Sequence, residues 1–227
     1  MKRALFSGLA VIAAAIFTPA LSQETGATPP DEVDCKTLGA TMKTQTANWS
    51  YADFEESGWR TLASKKCFFE AGGSIVGWLA AHLDTASPAE VRTLRYHAAR
   101  VFAMTGRHQV AMIHLSHAHD PDQPENPAQD WNSYIDAFSA WLRRDVDDLG
   151  DAVHQLEKQP VDEDGYKPNL SAALRFVVCF DLPYASIETN PECIPDIETT
   201  PQDTDETDAP APPTSILTID DLRNEPQ

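Results

Sequence analysis

The chain has 227 residues, with 35 acidic against 17 basic side chains and a formal charge of −18. A surface that acidic repels phosphate backbones and anionic lipid, which argues against nucleic-acid and membrane-surface partners and leaves basic proteins, cations or neutral surfaces. The length is that of one domain plus tails.

Met1 to Ser22 carries Lys2 and Arg3, an apolar run from Ala4 to Phe17, and a small-residue exit at Ala20-Leu21-Ser22. This is the pattern of a signal peptide, and the run is too short for a membrane span of about 20 residues. Cleavage before Gln23 predicts an exported protein, periplasmic or secreted, with no membrane span. The residue directly after the cleavage point is Gln23 and not cysteine, so a lipoprotein anchor is not expected. Residues 23–34 read as a polar, proline-bearing lead-in, and order is expected from about Cys35.

The exported part holds Cys35, Cys67, Cys179 and Cys193, and oxidation is their default fate there. Of the three possible connectivities, Cys35–Cys67 with Cys179–Cys193 is favoured, because each bond staples a loose flank to the helix beside it. Each loop contributes about 3 to 4 kcal/mol on the loop-entropy model. No C-x-x-C occurs, so neither a redox motif nor a structural zinc site has support.

The domain, residues 35–193, reads as all-α. Ser50 and Asp53 match a capping box, followed by a helix face of Phe54, Gly58, Trp59, Leu62 and Ala63. Phe68, Ala71, Ile75, Trp78, Leu79 and Leu83 form the stripe of a partner helix, in which Gly72 and Gly73 cost about 1 kcal/mol each but permit close packing. Ser87-Pro88-Ala89-Glu90 combines an N-cap, a proline at the first position and a reciprocal glutamate, and predicts a helix from Pro88 to Thr105. Gly106 turns the chain, and a returning helix is expected to about His119.

A proline-rich connector then leads to Asp130-Trp131. There a helix carrying Tyr134, Ile135, Phe138, Trp141 and Leu142 opens a third hairpin. Asp145 and Asp148 cap its second helix, and Asn169 is expected to cap a terminal helix at about 169–180. The hairpins fall at about 51–83, 88–119 and 130–159. From Ile194 the chain is rich in Thr, Pro and Asp and reads as a disordered acidic tail, 194–227, interrupted by one short apolar island, Ser215 to Ile219, followed by Asp220-Asp221-Leu222, which reads first as a chance remnant and second as a segment that folds on a partner.

Trp59, Arg95 and Trp131 follow one another at intervals of 36 residues, and in that register Ala63, Ala99 and Ile135 correspond. In the middle unit Ala99, Phe102, Gly106, Ala111, Leu115 and Ala118 supply the small, aromatic, turn, small, large and small residues of a tetratricopeptide repeat, which the region Ser57 to Pro160 resembles as three units. The outer units depart from the pattern: Lys66 stands at an aromatic position, Leu142 replaces the turn glycine, and the third unit's second helix is displaced by about two residues. The resemblance implies stacked antiparallel hairpins that bind a protein or peptide in the groove lined by their first helices. Carried over by position, the partner-binding candidates are Arg60 and Ser64, then Tyr96 and Arg100, then Asn132, Asp136 and Ser139.

Chemistry has less support. His114 and His117 share a helix face and are the candidates for a metal-binding or metalloenzyme alternative. His108 and His119 fall off that face, and His82 or His97 would have to complete the set. Asp145 to Asp151 starts like a calcium loop but places Leu149 and Leu156 at ligand positions. There is no G-x-S-x-G, H-E-x-x-H or glycine-rich phosphate loop, so no catalytic residue and no cofactor are expected. Asn48-Trp49-Ser50 and Asn169-Leu170-Ser171 match glycosylation acceptors. A purely structural envelope component is the third alternative.

Overall fold

A computed structural model describes residues 33–125, 127, 129–162 and 166–195. The expected signal peptide, most of the lead-in, and the tail beyond Pro195 with its apolar island lie outside the described residues.

Among those residues the chain is all-α. It runs α1 (Cys35–Gln45), α2 (Tyr51–Asp53), a π-helical turn (Phe54–Gly58), α3 (Trp59–Ser64), α4 (Phe68–His82), α5 (Pro88–Met104), α6 (His108–Ser116), α7 (Trp131–Arg143), α8 (Val146–Lys158), α9 (Pro168–Val178) and α10 (Tyr184–Thr189). None of these helices is long and apolar enough to cross a membrane.

Three hairpins, α3 with α4, α5 with α6 and α7 with α8, form the body. Their turns are too short for anything but antiparallel neighbours. All three turns have one geometry. Lys66, Gly106 and Arg144 each take a left-handed backbone, with φ of 62°, 71° and 59°. In each, the N–H of that residue bonds three back, to Ala63, Ala103 or Trp141, and the next N–H bonds five back, to Leu62, Phe102 or Ala140. This is the Schellman closure, which satisfies the last carbonyls of the first helix. Glycine supplies the left-handed residue only in the middle turn; the third turn falls at Arg143-Arg144-Asp145, where the sequence places it, with Arg144 left-handed two residues past the register position of Leu142. Measured between these residues, the units are 40 and 38 residues apart and not an even 36.

Helix starts follow the caps. The Ser50 and Ser87 hydroxyls accept from the Asp53 and Glu90 N–H groups, and the Asp130 and Asp145 carboxylates accept from those of Ser133 and Asp148. The Glu90 carboxylate returns to the Ser87 N–H at 2.7 Å, completing the capping box. Elsewhere the outcome differs. α9 starts at Pro168 after Lys167, and Asn169 instead donates to the Asp130 carbonyl at 3.1 Å. α6 stops at Ser116, short of His119. Leu83 is exposed rather than part of the α4 stripe. Gly58 is needed where α2 and α3 join through the π-helical turn, because a Cβ there would lie 2.5 Å from the Phe54 ring.

Both favoured disulfides are present. Cys35–Cys67 ties α1 to the turn before α4, and Cys179–Cys193 closes a loop around α10. They fit an oxidising, exported environment. The core runs through every helix pair and is aromatic at the C-terminal end, where Phe138, Trp141, Phe176 and Tyr184 pack with ring centroids 4.9 to 6.4 Å apart.

Candidate functional site

The candidate site is the face presented by α3 and α5, with α10 lying against α5. Tyr184, fully buried, anchors α10 in the aromatic core. Beside it Arg100, Tyr184 and Glu188 close a ring of hydrogen bonds. The Arg100 Nε donates to the Tyr184 hydroxyl at 3.1 Å, its Nη2 donates to Glu188 Oε2 at 2.8 Å, and the hydroxyl donates to Glu188 Oε1 at 2.6 Å. Burial lifts the Tyr184 phenol well above its ordinary range, so it stays a donor. Burial works against the Arg100 charge, but Tyr184, Tyr96 and Glu188 outweigh it and hold the guanidinium protonated.

Next to this ring a cavity of about 200 Å³ opens between α3, α4, α5 and α10. Its apolar walls are Trp59, Ala63, Phe68, Val101 and Met104, and its polar rim is Arg60, Arg100, Tyr184 and Glu188. Arg60 lies 4.3 Å over the Trp59 ring and is paired with Glu55. Glu55 sits in the π-helical turn and also accepts from Trp59 Nε1 at 2.9 Å, while His97 Nε2 lies 3.0 Å from it. Burial pushes the Glu55 carboxyl up, yet the hydrogen bond and charge of His97, with Trp59 and Arg60, bring it below its ordinary value. The turn thus positions a carboxylate that fixes Trp59 and Arg60 at the cavity mouth.

The expected groove residues divide. Arg60 and Arg100 line the cavity. Tyr96 is turned to α7, its hydroxyl 3.0 Å from that of Tyr134 and its ring 5.1 Å from Trp131. Asn132 exchanges two 2.8 Å hydrogen bonds with the backbone of Asp120 and so fastens the connector to α7. Asp136 is exposed, 2.8 Å from His119 Nε2, and lines a second cleft of about 320 Å³ between α7 and α8 with Ser133, Arg143, Asp148, Asp151 and Gln155. Ser64 bonds its own helix at Thr61, and Ser139 is half-buried on α7. Trp59 and Phe68 were legible only as core positions. Tyr184 and Glu188 belong to a helix too short to leave a periodic signal.

The histidine pair does not converge. His114 is buried, stacked on Phe102 at 5.4 Å, with its Nδ1 accepting from Arg95 Nη1 at 3.3 Å, whereas His117 is exposed at the end of α6. A ligand nitrogen taken up by a guanidinium is a poor place for a cation. Among the described residues no three His, Cys, Asp or Glu side chains are grouped to hold a metal ion. The Asp145 carboxylate, first in the calcium-like run, caps α8 instead.

Neither protein-family models, nor curated proteins, nor solved structures match this chain.

Proposed function

We propose that this chain is an exported, non-catalytic binding protein of the helical-repeat kind, periplasmic or secreted, that holds a protein or peptide partner in the cleft between α3, α5 and α10. The observation that carries this reading is α10 itself. A six-residue helix of the chain itself is seated on the first-helix face by one buried tyrosine and one arginine–glutamate pair, so this face accepts a short helix. Beside it the cleft offers apolar walls and a second guanidinium, Arg60, about half exposed. The three like turns support the resemblance to tetratricopeptide repeats, and with it the first-helix face as the binding face.

The cleft suits an apolar anchor side chain next to a carboxylate: the anchor packs on Met104 and Phe68, and the carboxylate meets Arg60. The test is partner capture by crosslinking in the native compartment, comparing the natural chain with a Met104→Glu and Arg60→Ala double variant. Captured partner should fall at least tenfold while the helical circular dichroism is unchanged. Undiminished capture of every partner sinks the assignment.

A further inference from the structure

A different surface, built from α1, α4 and α6 with their turns, breaks with the charge of the rest of the chain. Residues 35–50 contain Lys36 and Lys43 and no acid, residues 65–83 contain Lys65 and Lys66 against Glu70, and residues 105–118 contain Arg107 alone. In a chain of charge −18 this is a basic island.

The island also carries exposed apolar side chains in a row. Phe69 and Val76 on α4, and Leu83 just past its end, are 47%, 39% and 62% exposed. Gly73 and Ala80 complete the row at spacings of three and four, one face of a helix. A Cβ added at Gly73 would meet nothing within 4 Å, so the row is open. Arg107 lies 4.3 Å over the Phe69 ring at one end. Lys43 runs along α4 at Gly77, its Cε 3.6 Å from where a Cβ there would sit. Neither cation has a carboxylate within ion-pair distance among the described residues.

We propose that this row is the docking site for residues 215–222 of the same chain, Ser-Ile-Leu-Thr-Ile-Asp-Asp-Leu, bound in cis. Beyond Pro195 the chain has nine acidic residues and the single Arg223, and this segment is its cluster of large aliphatic side chains. Ile216, Leu217, Ile219 and Leu222 match the apolar row, and Asp220 with Asp221 matches the unpaired cations beside it. Nineteen residues join Pro195 to Ser215. A linker of that length spans on the order of 25 Å, giving an effective concentration near the millimolar range. A second copy packed row against row is disfavoured, because it would bring two basic islands together. The proposal shares no residue with the cleft and stands or falls apart from it.

The test uses the full-length, disulfide-intact chain at low micromolar concentration and low salt, reacted with a carbodiimide that joins carboxylates to lysines, then mapped by mass spectrometry. Expected is an intrachain link from Asp220 or Asp221 to Lys43. It should drop at least tenfold in an Ile216→Ser and Ile219→Ser double variant, and equally in a Phe69→Ser and Val76→Ser double variant. The first pair lies outside the described helices and the second is exposed, and circular dichroism checks that both variants keep their helix. Three outcomes overturn the proposal: no such link, a link undiminished in both variants, which would mark charge attraction without docking, or a link found only between chains.

Discussion

Gly72 and Gly73 stand side by side on α4 for opposite reasons. A Cβ on Gly72 would lie 2.6 Å from the Phe102 ring, so the missing side chain is what lets α4 and α5 approach. A Cβ on Gly73 would enter open space, so there glycine only costs helix stability. Gly73→Ala should therefore stabilise the domain by about 1 kcal/mol, the helix-propensity difference. Gly72→Ala should destabilise it by about 1 to 3 kcal/mol, as overpacking a tight contact does. Urea unfolding of the two variants checks the pair, and a loss of stability in both would contradict the open-face reading of Gly73. The sequence suggests close packing at both positions, since residue spacing shows that two residues lie 100° apart but not which one meets a neighbour.

At the scale of elements, what was legible is what is locally encoded. The caps at Ser50, Ser87, Asp130 and Asp145 were readable because cap and helix lie within four residues. Three features were not readable. α1 buries only Met42 and has no apolar row to announce it. The π-helical turn is one extra residue within an otherwise regular stripe. α10 is six residues long and is seated by Arg100, 84 positions earlier at Tyr184.

That dependence on a distant contact predicts how α10 comes loose. Its Ser186, Ile187 and Asn190 N–H groups bond to the carbonyls of Pro183, Pro183 and Ser186. Replacing Cys179 and Cys193 by serine removes a 14-residue loop closure worth about 3 kcal/mol. If α10 opens on its own, hydrogen exchange at these three amides should speed up by about a hundredfold relative to α5 amides, a factor of ten per 1.4 kcal/mol. The same exchange on Cys35→Ser with Cys67→Ser should leave α10 unchanged relative to α5. Equal acceleration throughout the chain would mean that α10 has no independent opening.

For the molecule as a whole, acid is the condition that exposes its weakest charges. Burial, with Arg95 and His117, depresses His114 to about 4 from an ordinary 6.5. As pH falls below 6.5, the unfolded chain takes up a proton at His114 and the folded chain does not, so unfolding binds a proton and stability falls until the folded ring titrates near 4. His114 is only 5% exposed, so the loss should be on the order of 1 to 3 kcal/mol. Glu55 adds a second, lower window. Its carboxyl is held below the ordinary 4.5 by His97, Trp59 and Arg60 against the pull of burial, so its contribution is present above that value and lost beneath it. The overall charge of −18 relaxes over the same range and would blur a single melting curve. A comparison removes that background, because His114→Gln leaves every carboxylate in place and keeps an acceptor for Arg95. The difference in stability between variant and natural protein, followed from pH 7.5 to 4, should shift in the variant's favour by the His114 amount as pH falls, while both proteins share the Glu55 loss below about 4.5. Parallel curves throughout would mean that the His114 ring titrates alike folded and unfolded, and the neutral, Arg95-bonded ring described for α6 would have to be abandoned.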